Sequence, residues 1–124
     1  MKTISWNVTS LKGWLVKTYR NKKLLEIVRE SPCQNCGVED GTVVAAHSNQ
    51  QRDGKGTGIK ASDAMIAALC HKCHANLDSG SKLTREERLE LFEYAHRQTM
   101  KWLVENEYLV VDDKRTTHML LKDM

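Results

Sequence analysis

The chain has 124 residues, 40% hydrophobic and 28% charged, with 19 Lys and Arg against 16 Asp and Glu for a net charge of +3. That length and balance point to one folded domain with a modest core, within the composition range of soluble globular proteins. No apolar run approaches the length of about eighteen residues that a membrane span requires, and no continuous apolar stretch follows Met1-Lys2, so neither a span nor a signal peptide is expected.

Residues 1–30 are basic: Lys2, Lys12, Lys17, Arg20, Lys22, Lys23 and Arg29 stand against Glu26 and Glu30. Leu11, Trp14, Leu15, Leu24, Leu25 and Val28 follow a helical spacing, interrupted around Arg20-Asn21 and stopped by Pro32. The expectation is a basic, helical N-terminal arm. Such an arm either contacts nucleic-acid phosphates, which needs no sequence reading, or is simply a solvated face.

All four cysteines follow, as two Cys-x-x-Cys pairs, Cys33/Cys36 and Cys70/Cys73, with 33 residues between the pairs. Two such knuckles match a tetrahedral thiolate zinc site, and a reducing cytoplasm favours that over a disulfide or a redox dithiol. The interval exceeds a zinc-ribbon spacing, so a folded element should sit inside the loop that the metal closes. After a turn at Gly37–Gly41, Thr42–Ala46 read as a short strand that delivers His47 at its end. A lone histidine after an apolar run is usually structural; its place inside the cysteine frame makes His47 a catalytic candidate.

Asp53-Gly54-Lys55-Gly56-Thr57-Gly58-Ile59-Lys60 fits neither the Walker pattern nor Gly-x-Gly-x-x-Gly. It is either a flexible turn or a loop whose backbone approaches a phosphate, with Lys55 and Lys60 as contacts. Ala61–Leu69 is small and apolar. A short helix begins at His71 and places His74 and Asp78, four residues apart, on one face, a suitable bite for a divalent cation. His71 reads as a supporting or solvent-facing residue.

Thr84-Arg85-Glu86-Glu87 is a capping box that opens a helix running to about Glu105. Leu89, Phe92, His96, Met100 and Leu103 form its apolar stripe, and His96 on that stripe is read as a packed structural histidine. Tyr108–Val111 is a strand candidate, turned back by Asp112–Arg115 onto Thr116–Leu121 as a C-terminal hairpin.

A strand ending in histidine, a loop, and a helix carrying histidine after a second Cys-x-x-Cys resemble the HNH, or ββα-metal, endonucleases. The ordered set His47, Gly56, Gly58, Lys60, Asp63, Cys70, Cys73, His74 and Asp78 is most similar to the YbcO-like nucleases of prophages, over roughly residues 25–111. The resemblance implies an α+β fold in which residues 31–82 form a ββα core stabilised by a four-cysteine zinc, flanked by the arm of residues 1–30 and by the helix and hairpin of residues 83–124. It implies cleavage of DNA phosphodiesters in phage recombination or DNA processing, in the cytoplasm of a bacterium or phage-infected host. His47 would activate water, and His74 would hold Mg²⁺ or another divalent cation, completed by Asp78 or Asp63.

Two positions depart from the HNH pattern. Ala46 stands where many members carry a further ligand, and Asp63 is the nearest substitute for the middle asparagine, so His47 is either base or ligand. A noncatalytic zinc-stabilised module binding DNA or RNA competes from another class. It would use the cysteines and the basic arm but not a convergence of His47, His74 and Asp78. A zinc deaminase is excluded, because His47-Ser48-Asn49 lacks the required His-x-Glu.

Overall fold

The computed structural model describes residues 5–11, 14–56, 58–79 and 82–112. It is a mixed α+β chain with two small antiparallel sheets and three α-helices. Strands β1 (Ser5–Leu11) and β2 (Trp14–Arg20) pair in register from Ser5↔Arg20 to Leu11↔Trp14, and α1 (Lys22–Val28) follows directly. The arm expected to be helical is therefore a β-ribbon up to Arg20. Val8, Thr9, Val16, Thr18 and Tyr19 are residue types that favour strands, whereas Leu11, Trp14 and Leu15 mimic a helical face over a single turn. Only Leu24, Leu25 and Val28 lie on a real helix, capped by Asn21, whose side chain accepts the Leu24 N–H at 3.1 Å.

Strand β3 (Val44–His47) pairs with β4 (Ile66–Leu69), and α2 (His71–Ser79) begins two residues after β4 ends. Between the strands the chain makes a short 3-10 turn at Gln51–Asp53, ended by Gly54 at φ +94°, a left-handed conformation that costs glycine little. β4 gave no strand signal in the sequence because it is buried on both faces and so shows no alternation.

A sheet of two four-residue strands is marginal alone, and helix α3 (Arg85–Glu105) closes its edge. Thr99, fully buried, accepts the Ala68 N–H at 2.9 Å and donates to the Ala95 carbonyl at 2.7 Å. The Ile66 carbonyl accepts from His96 Nδ1 at 2.7 Å, and the Ala68 carbonyl accepts the Gln34 N–H at 2.8 Å. His96 also stacks on Phe92, with ring centroids 5.8 Å apart, so it is the packed histidine its position implies. Around this edge Val28, Leu69, Leu77, Phe92, Ala95 and Leu103 form the core.

The capping box at Thr84 and Glu87 is present, and α3 runs to Glu105 as expected. Its end explains why Tyr108–Val111 form no strand. Glu107 takes the left-handed conformation at φ +61°, and the N–H groups of Tyr108 and Leu109 turn back to the Leu103 carbonyl at 2.9 and 3.2 Å. The chain here satisfies orphan helix carbonyls, leaving Tyr108 to pack on Trp102. The other half of the expected hairpin, with His118, lies outside the described residues. Among those described, no helix is long and apolar enough to cross a membrane.

Thr99→Val keeps the side-chain volume but leaves the Ala68 N–H without its acceptor. It is expected to lower stability by about 1–3 kcal/mol, measured by urea unfolding, because a buried donor then goes unpaired.

Candidate functional site

The two knuckles meet between the start of β3 and α2. The four sulfur atoms lie within 4.8 Å of one another, Cys33, Cys70 and Cys73 buried and Cys36 exposed. Gly37 makes the first knuckle possible: at φ +81° it turns the chain so that its N–H bonds the Cys33 carbonyl at 2.8 Å. The second knuckle is the first turn of α2, where the His74 N–H bonds the Cys70 carbonyl at 2.9 Å. Between the first pair, Asn35 donates its side-chain amide to Cys73 Sγ at 3.3 Å. This donor set fits a zinc ion held by four thiolates, as the spacing implied.

The thiols are electrostatically unequal. Burial acts to raise Cys33, but the N–H groups of Cys36, Cys70 and Asn35 at its sulfur prevail and bring it down to about 7. Burial pushes Cys73 up to about 12 and also raises Cys70. A metal must therefore displace protons from Cys70 and Cys73.

A second cluster lies at the far end of β3. His47, Lys55, Lys60, His74 and Asp78 line one open cavity of about 300 Å³, together with Ser48 and Asn49. The structure thus brings together five of the residues singled out in the sequence. His74 Nε2 and Asp78 Oδ2 are 3.0 Å apart across one turn of α2, and both residues are partly exposed. This pair could supply two ligands to a divalent cation. Among the described residues, however, only the four cysteines put three or more candidate ligand atoms within 4.8 Å of one another. His71 is exposed, as anticipated.

Asp63 does not line the cavity. It is buried, at 3% exposure, with Oδ1 2.7 Å from His47 Nε2. Its carboxylate also accepts the Asn21 N–H at 2.7 Å and a longer contact from Arg20 at 3.4 Å. Asp63 therefore meets His47 from outside the cavity lining, with donors already at both of its oxygens. With Nε2 donating to Asp63, the other imidazole nitrogen, Nδ1, has no hydrogen-bond partner among the described residues.

Arg20 and Asn21 escaped the sequence reading, because nothing in spacing links them to a site some forty residues away. Arg20 donates to the carbonyls of Lys60 and Ala61 at 2.8 and 2.7 Å, and the Asp63 N–H bonds the Tyr19 carbonyl at 3.0 Å. The Arg20 guanidinium thus holds the segment that carries Lys60. The end of β2 is part of the site's scaffold, not a detached arm.

Comparison with family models, curated proteins and solved structures yields no match.

The purified protein is expected to hold about one zinc ion per chain, and Cys70→Ser to lose both the metal and cooperative unfolding. Lowering the pH from about 8 to about 6 should weaken zinc binding, since Cys70 and Cys73 hold their protons more tightly than an ordinary thiol. Competition with a chromophoric chelator measures both. A Cys70→Ser protein that melts like the parent would remove the structural metal from the account.

Proposed function

We propose that the chain is a metal-dependent endonuclease that hydrolyses DNA phosphodiester bonds, on an HNH-like core made by β3, β4 and α2, and acts in phage recombination or DNA processing. The observation that carries this reading is His47: its imidazole is oriented at Nε2 by a buried carboxylate and lines a cavity shared with His74, Asp78, Lys55 and Lys60. The order of two antiparallel strands followed by a helix, with the histidine at the end of the first, adds support.

The chemistry follows from the groups. A phosphodiester is anionic and resists attack by water until the water loses its proton. His47 takes that proton at Nδ1 while Asp63 accepts the Nε2–H, which fixes the tautomer and balances the imidazolium that forms. Lys55 and Lys60 hold the phosphates on either side of the target. A divalent cation held by His74 and Asp78 would supply positive charge at the phosphate and at the departing oxygen. The mixed nitrogen and oxygen donors suit Mn²⁺ as well as Mg²⁺.

One observation favours the competing reading of a noncatalytic nucleic-acid-binding module: His74 and Asp78 lack a third ligand close by among the described residues. The two readings part on cleavage. Plasmid nicking with Mg²⁺ or Mn²⁺ should be seen for the parent protein and fall about 100- to 10,000-fold in His47→Ala, with DNA affinity retained. His74→Ala should keep its zinc and its fold yet lose activity, and Asp63→Asn should lower the rate without changing metal dependence. Parent protein that binds DNA but leaves it uncut with either metal decides for the binding module.

A further inference from the structure

A larger cavity, of about 730 Å³, opens beside the one that holds His47, and Asn49 lines both. Leu77 and Phe92, both buried, contribute an apolar floor. Arg85 and Arg88, on the first turn of α3, stand on its wall. Neither makes an ion pair or side-chain hydrogen bond among the described residues, and Arg88 Nε is a buried donor with no acceptor. A buried N–H in that state is costly, and the two arginines stand at the cavity wall with no carboxylate partner among the described residues. The nearby Glu93 does not serve: its Oε1 takes the Gln50 amide at 2.9 Å and the Arg52 guanidinium at 2.6 Å. The first of these, then Arg52, holds Glu93 below the usual carboxylate range, and both partners are fixed at the cavity by it.

From this arrangement we infer that the larger cavity is a nucleotide subsite, which takes an unpaired base of single-stranded DNA next to the phosphate presented to His47. The inference rests on the nuclease reading for the neighbouring cavity and adds the form of the substrate. A duplex keeps its bases stacked and offers a protein its phosphates and groove edges. An apolar floor beside the polar lining residues Asn49 and Gln50 contacts a base only when the base is out of the stack. The size lies within the range of ligand pockets, roughly 300–1,000 Å³, so it admits a nucleotide and not a helix. Arg85 and Arg88 supply the phosphate contacts, with planar donors suited to phosphate oxygens. Asn49 lines both cavities, so they are neighbours, and a strand seated in the subsite has its adjoining phosphate on the side of His47.

The test is fluorescence anisotropy on the full zinc-loaded chain, without added Mg²⁺ or Mn²⁺ so that binding is read apart from cleavage. The probes are a labelled single-stranded oligonucleotide, its duplex, and an abasic strand of equal length. The single strand should bind about tenfold or more tighter than either of the others. The double variant Arg85→Gln/Arg88→Gln should lose about tenfold for the single strand and show a shallower salt dependence, with zinc content and melting temperature unchanged. Duplex or abasic strand bound as tightly as the normal single strand overturns the subsite, and this comparison needs no variant to fold. An intact double variant with undiminished single-strand binding overturns it as well. Parent protein that shows the expected binding but cuts no DNA sinks the nuclease reading and leaves the subsite. Parent protein that nicks DNA yet binds all three probes alike sinks the subsite alone.

Discussion

Four sulfur atoms within 4.8 Å of one another are placed so that one metal ion would tie together elements too short to persist alone. β3 and β4 have four residues each, α1 has seven and α2 has nine, all below the length at which an isolated helix or hairpin is stable in water. The sulfurs join the segment after α1 to the end of β4 and the start of α2. A metal there would close thirty-three residues into a loop, and the β3–β4 hairpin is what that loop contains. A metal at this point removes much of the freedom the open chain would have. The remaining edge of the hairpin is satisfied by α3 through Thr99 and His96.

At the opposite end, a single carboxylate organises the surroundings of the proposed base. Asp63 meets His47, the Asn21 N–H and Arg20, and its own N–H bonds Tyr19. The charge is buried with hydrogen-bond donors on both oxygens, which is the condition under which a buried carboxylate is tolerable. His47 therefore has its orientation set by a residue on the loop and by the end of β2 at once. The glycine-rich segment is held by the same contacts, since Arg20 grips the carbonyls of Lys60 and Ala61.

The sequence revealed the parts of this arrangement that are local. Cysteine spacing, the Thr84–Glu87 box and the four-residue interval between His74 and Asp78 are short-range signals, and each corresponds to the geometry found. The N-terminal ribbon has no distinct sequence signal, because Leu11, Trp14 and Leu15 fit a helical turn as well as a strand pair. β4 was invisible as a strand because burial on both sides erases alternation. The position of Asp63 against His47, and the joining of Arg20 to residues 60–63, come from long-range docking and leave no periodic trace. Asp63 could be picked out by its residue type, but which partner it served could not.

The sulfur cluster is also lopsided. Cys33, Cys70 and Cys73 are buried and Cys36 is exposed, so water, oxidants and chelators all approach from one side. With zinc bound, loss of the metal would therefore begin at the Cys36 corner, the one a competing ligand can reach. Oxidation would likewise strike that corner first, because susceptibility follows exposure.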